Sequence, residues 1–229
     1  MPERTIAPAR WRGRPVDRAA GSWAEIEPKL PRFEFRPFAM GENFPANPHL
    51  NVVVRLPADD GEHPIPVGVV SPSYTLVQHA ALGDAIVRSL RDLDLFYDRL
   101  RCELEITPLG EWMSLRFHLD DSFSLTPPDG YPLNLTIEAT NTVEGSGRLV
   151  LLMSWYRLVC SNGLTIRDTI TQLSDVHLGE MQMDRVQGVI EAGLQAAQAD
   201  RRRLAAWAKA SIDDARLIAW ADGPVTKAW

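Results

Sequence analysis

The chain has 229 residues, 30 acidic against 24 basic, and a formal net charge of −6. That balance excludes a wholesale basic coat for nucleic acid or an anionic membrane, while leaving room for a local basic groove. Hydrophobic content of 45% is that of an ordinary globular chain, long enough for one sizeable domain with or without a helical appendage.

Residues 1–45 read as a basic, Pro-rich arm carrying Arg4, Arg10, Arg12, Arg14 and Arg18, with Trp11 and Trp23 among them. Proline sustains neither a helix interior nor an internal strand, so the arm is expected to be extended and partly disordered. The opening residues hold no apolar leader, and no run is long enough to cross a bilayer, so the chain reads as cytoplasmic with no membrane partner.

A core domain is expected over residues 46–178. Its first strand is 50–56, LNVVVRL, and an Asp59-Asp60-Gly61 turn leads to a second at 65–70, where Pro66 marks an edge. Leu82, Ile86, Leu90 and Leu93 then fall at spacings of four, four and three, predicting an amphipathic helix over 79–93. Next, Leu100, Cys102, Leu104 and Ile106 alternate with Arg101, Glu103 and Glu105, and Met113, Leu115, Phe117 and Leu119 with Ser114, Arg116 and His118. Period-two runs joined through Pro108-Leu109-Gly110 predict a hairpin. A third strand follows at 133–139. The fourth, beginning at Leu149 in LVLLMSWYRLVCSNGLTI, is apolar on both faces and is expected near the sheet centre, covered on both sides. Asn162 and Gly163 end it as a structural turn, Gly163 supplying positive φ.

From residue 179 the pattern turns helical. Val186, Val189, Ile190, Leu194 and Ala197 share one face, and Leu204 and Trp207 continue it. The expected class is α+β: an antiparallel meander packed by an amphipathic helix, with a C-terminal helical segment over 179–229.

Catalytic chemistry finds little support. His49, His63, His79, His118 and His177 are scattered, none at ligand spacing, and His79 reads as a helix cap or surface residue. The pairs Asp59-Asp60, Asp120-Asp121 and Asp213-Asp214 fall in turns or on a helix face, and convergence of Glu103, Glu105 and Glu138 on a metal has no signature spacing behind it. Phosphate loops and nucleophile elbows are missing. Cys102 and Cys160 read as buried thiols. No catalytic residue, metal or cofactor is expected.

The positive feature is the polar side of the meander. Arg101, Arg116, His118 and Arg157 could meet phosphates there, with Trp112 or Tyr156 stacking on bases. The same residues equally suit a solvated face with cross-strand pairs among Arg101, Glu103 and Glu105.

Two segments carry a family likeness. Val70, Ser71, Tyr74 and His79 lead into the amphipathic helix, and RLVCSNGL at 157–164 ends a strand. Together they resemble the phage/plasmid-like family built on domain of unknown function 932, over residues 50–210. The 157–164 run is the most specific piece; the arm lies outside the likeness, and the chain is short at its C-terminus for that family. The resemblance implies an origin in phages, plasmids or mobile islands and assigns no catalytic residue. The layout is also similar to that of ring-forming single-strand annealing proteins, whose sheet and helix line a DNA groove. These likenesses imply a non-enzymatic, oligomeric binder of nucleic acid, single-stranded DNA foremost, whose binding falls steeply with salt. A protein-interaction subunit of a defence or counter-defence system is the other expectation. Its contact surface would be the arm and the late helix, with Trp207, Trp220 and Trp229 as anchors.

Overall fold

The computed structural model describes residues 10–41, 43–95, 100–127, 130–158, 165–175, 177, 184–211 and 213–225. The chain opens with a small hairpin of β1 (Arg10–Trp11) and β2 (Arg14–Pro15), then β3 (Asp17–Gly21) and the single-turn helix α1 (Trp23–Ile26). Next come β4 (Phe33–Pro37), β5 (Asn51–Arg55), β6 (Ile65–Val70) and the long helix α2 (His79–Asp92). The meander is β7 (Arg101–Ile106), β8 (Trp112–His118), β9 (Asn134–Thr142), β10 (Leu149–Leu158) and β11 (Thr165–Asp175). It is followed by α3 (Asp184–Trp207) and α4 (Asp214–Trp220).

The fold is α+β. The main sheet has six antiparallel strands in the order β11-β10-β9-β8-β7-β3, and a three-stranded sheet runs β4-β5-β6 with Pro66 on its edge strand. Strand alternation sends Leu104, Leu115, Phe117, Ile137, Leu151 and Met153 to one face of the large sheet, where they are buried with Leu82, Ile86 and Leu90 of α2. Each such side chain contributes about 1.5–3 kcal/mol on leaving water. Helix α3 docks beside α2 and comes close to the sheet. A Cβ at Gly193 would lie 2.2 Å from Met153 Sδ, and Trp155 Nε1 donates to Asp200 Oδ2 at 3.1 Å. The helices therefore cover one face of the sheet; on the other side of β10, Val150, Leu152 and Tyr156 are half-buried and Ser154 is buried.

Two segments differ from their expected form. The arm, over its described residues 10–41, is built into the body. β3 pairs along β7, β4 along β5, and Trp23 lies on Gly83 of α2 with its Nε1 donating to Asp84 Oδ1 at 3.0 Å. The boundary expected at residue 45 thus falls between two paired strands. The meander also gains a fifth strand, β11, over a stretch that had no expected element. A register shift opposite Met153 and Ser154 inserts Ile170 as an extra residue, which breaks the period-two pattern.

His79, expected as a cap or surface residue, is instead fully buried. Its Nε2 donates to Gly110 O at 2.7 Å, and its Nδ1 accepts from Asn141 Nδ2 at 3.0 Å. A nearby latch uses Tyr74, whose hydroxyl donates to Thr142 O at 3.0 Å and whose ring stacks on His177. Tyr74 and His79, two of the residues behind the family likeness, therefore tie the β6–α2 connection to the end of β9.

Candidate functional site

The face of the six-stranded sheet away from the helices is polar by the same alternation that makes the other face apolar. Register places Glu103 opposite Arg116, Arg116 opposite Glu138, and Glu138 opposite Leu152. The next rung runs Arg101, His118, Thr136 and Ser154, and Tyr156 stands beside it opposite Asn134.

Arg116 is the hub of this face. Its Nη1 donates to Glu103 Oε2 at 3.2 Å, and its Nη2 to Glu138 Oε2 at 3.1 Å. Its guanidinium also sits 5.2 Å from the Tyr156 ring centroid, a cation–π geometry. Arg101 pairs with Glu103 at 3.0 Å and Arg18 with Glu105 at 2.8 Å. The face is a ladder of compensated charge.

His118 meets Tyr156 edge-on at 6.0 Å and lies 3.3 Å from Glu103 Oε1 without the alignment of a hydrogen bond. Burial lowers its pKa, opposed by Glu103 and reinforced by Arg116 and Arg101. For Glu103, burial pushes the carboxyl up, but His118, Arg101 and Arg116 more than offset it and leave it below its usual range. Beside His118 Nε2, the Ser154 Oγ and Thr142 Oγ1 on this face also have no hydrogen-bond partner among the described residues.

Small side chains hollow out the β3 side. Ala20 lies opposite Glu103, and Ser114 opposite Glu105, leaving a groove of about 480 Å³ floored by β7 and flanked by Arg18 and Arg116. The other end of the face is closed by the β1–β2 hairpin. Trp11 stacks on Trp112 at 5.6 Å, Arg12 lies 4.8 Å from the Trp11 ring, and Arg14 bonds to the buried Glu111.

The structure thus brings Arg101, Arg116, His118 and Tyr156 together. Trp112 shares their face but already has one ring partner in Trp11. Arg157 is separated from them. It follows Trp155 by two residues and so points to the opposite side of β10, where its guanidinium lies 5.1 Å from the Tyr131 ring centroid. Asn162, Gly163 and Cys160 lie outside the described residues, as does Trp229. Glu103 and Glu138 meet across Arg116, and among the described residues no three His, Cys, Asp or Glu side chains gather as a metal-ligand set. Arg18, Ala20 and Trp11 join this face through the ordered arm, which carries no strand periodicity to announce them. Ser154 was readable from its parity with Tyr156.

Compared with family models, curated proteins and solved structures, the chain matches none. Among the described residues, no helix is long and apolar enough to cross a membrane.

Proposed function

We propose that this chain is a non-enzymatic, cytoplasmic binding protein of phage, plasmid or mobile-element origin, akin to the domain of unknown function 932. Its ligand is single-stranded nucleic acid, received on the face of the six-stranded sheet turned away from the helices. The observation that carries the reading is Tyr156, an aromatic ring on the sheet face turned away from the helices, bracketed by Arg116 and His118. An exposed sheet with helices behind it is a platform on which unpaired bases stack.

The charge ladder gives that platform a particular chemistry. Arg101 and Arg116 are held by Glu103 and Glu138, so phosphates have little free cation to meet on this face. Carboxylates there suit the exocyclic amino groups of bases instead. Recognition rests on stacking and base edges, and the salt dependence is shallow rather than the steep one that free arginines would give. Among the described residues no strand pairs with the outer edge of β3, an arrangement that suits assembly into an oligomer by strand addition.

The test is fluorescence anisotropy with a labelled single-stranded oligonucleotide at two salt concentrations. The expected result is saturable binding that weakens about tenfold or more in Tyr156→Ala, the loss of one stacked base. A flat titration at micromolar protein sinks the reading.

A protein partner is the second reading, favoured by the tail. Trp207, Ile218 and Trp220 are 61%, 60% and 55% exposed, a concentration of bare apolar surface at one end of the chain.

A further inference from the structure

A cavity of about 750 Å³ lies on the far side of β3 from the sheet groove, at the junction of the two sheets. Its wall brings together Arg18, Lys29, Arg32 and Arg55, against the single carboxylate of Asp17. Four cations to one anion is a sharp local reversal in a chain of net charge −6. Low-dielectric walls around such a cluster focus its field on an anion.

These cations are not all spent. Arg18 is held by Glu105, and Arg55 donates to Pro108 O at 3.3 Å and reaches Glu62 at 3.7 Å. Lys29 and Arg32 are exposed and form no ion pair with a described residue; Lys29 only biases the Glu25 carboxyl from a distance. Their placement is fixed by the backbone. The 3₁₀ turn Glu27–Lys29 carries Lys29, and Leu56 N donates to Arg32 O at 2.8 Å, clamping the Arg32 segment to the end of β5. The remaining wall is rigid and apolar, with Pro28, Pro31, Pro57 and Pro108 around Leu104 and Ile106. Proline rings lose no torsional freedom when a ligand settles on them. The volume falls within the range of roughly 300–1,000 Å³ typical of small-molecule sites.

We propose that this junction binds a phosphate-bearing ligand of mononucleotide size. Lys29 and Arg32, with Arg55 behind them, hold the phosphate, and the flat apolar part lies on the proline wall. A guanidinium beside an ammonium matches a phosphate dianion through charge-assisted hydrogen bonds. Arg18 borders both cavities, but Lys29, Arg32 and Arg55, which hold the phosphate, take no part in the sheet groove.

Calorimetric titration of the full chain tests it with four probes: adenosine monophosphate, pyrophosphate, adenosine and a single-stranded oligonucleotide. The expected result is one-to-one binding of the nucleotide, competition by pyrophosphate, and no heat with adenosine. Lys29→Glu with Arg32→Glu weakens the nucleotide tenfold or more, while Tyr156→Ala leaves it unchanged. A thermal melt of the double variant confirms folding, and pyrophosphate competition on the unaltered chain reads the site without any variant. Binding of the oligonucleotide alone, lost on the same charge reversal, also supports the site and assigns its phosphate to a strand. Absence of binding by the nucleotide, pyrophosphate and the oligonucleotide at millimolar concentration overturns it. So does nucleotide binding that the charge reversal spares and Tyr156→Ala removes.

Discussion

His79 shows how one side chain ties stability to pH. Burial drives its pKa from the ordinary 6.5 down to about 4, with the Gly110 carbonyl opposing and His177 adding to the shift. The unfolded chain binds a proton below pH 6.5 and the folded one not until about pH 4. The folded state therefore keeps its full stability above pH 6.5 and loses it progressively as pH falls toward 4. The loss from this group is on the order of 3 kcal/mol. Chemical denaturation at pH 7.5 and pH 4.5 checks it. In His79→Gln, which cannot charge, the difference between the two midpoints shrinks although the variant is less stable at both. The identity of this group was not legible beforehand. A histidine at the first position of a helix looks like a cap, and only the arrival of Asn141 from β9 and of Gly110 from the β7–β8 turn makes it a core residue. Arg116 is the opposite case. Its opposition to Glu103 followed from the alternation of 100–106 and 112–118 once a tight turn joined them, and the cross-strand pairs are there. Arg157 was a matter of parity: Leu151, Met153 and Trp155 point inward, so the residue two further on does too.

Elements were legible where one periodicity ran unbroken. The Leu82–Ile86–Leu90 stripe located α2, and alternation located β7, β8 and β9. β11 was hidden because its bulge at Ile170 shifts the phase midway through a Thr- and Asp-rich stretch. β3, Asp-Arg-Ala-Ala-Gly, has nothing to alternate; it is a strand only because β7 offers it an edge. At this scale the docking of the arm on α2 is the contact most open to test. A Cβ at Gly83 would lie 2.1 Å from Trp23 Cη2, so the indole has to move for any larger residue. Alanine raises helix propensity by about 1 kcal/mol over glycine. Overpacking opposes that gain with about 1–3 kcal/mol. Gly83→Ala is therefore expected to be neutral to destabilising by about 2 kcal/mol in urea. In a Trp23→Ala background the same change becomes stabilising, and that reversal of sign is the measurement.

Across the whole molecule, two regions differ in how firmly they belong. The helices over the sheet share one core, whereas the end of α3 and the whole of α4 leave Trp207, Leu217, Ile218 and Trp220 in solvent. Replacing Leu217 and Trp220 by serine is expected to shift the unfolding free energy by no more than about 0.5 kcal/mol, as at any exposed site. A much larger loss would show that these side chains already have a folded partner, a second copy of the chain included, which light scattering would reveal. A protein partner captured by the unaltered chain and lost by the serine variant would favour the interaction reading over the nucleic-acid one.

The pairing of β3 with β7 also sets a timetable for biosynthesis. Arg18 leaves the ribosome 87 residues ahead of Glu105, the carboxylate that will hold it. At roughly 5–20 residues per second, that delay is on the order of ten seconds. During it, β4, β5 and β6 can close among themselves, because each lies next to its partner along the chain. The large sheet cannot be completed in the order of synthesis: its earliest strand is added to an edge that does not yet exist. A nascent chain halted before Arg101 holds β3 with nothing to pair.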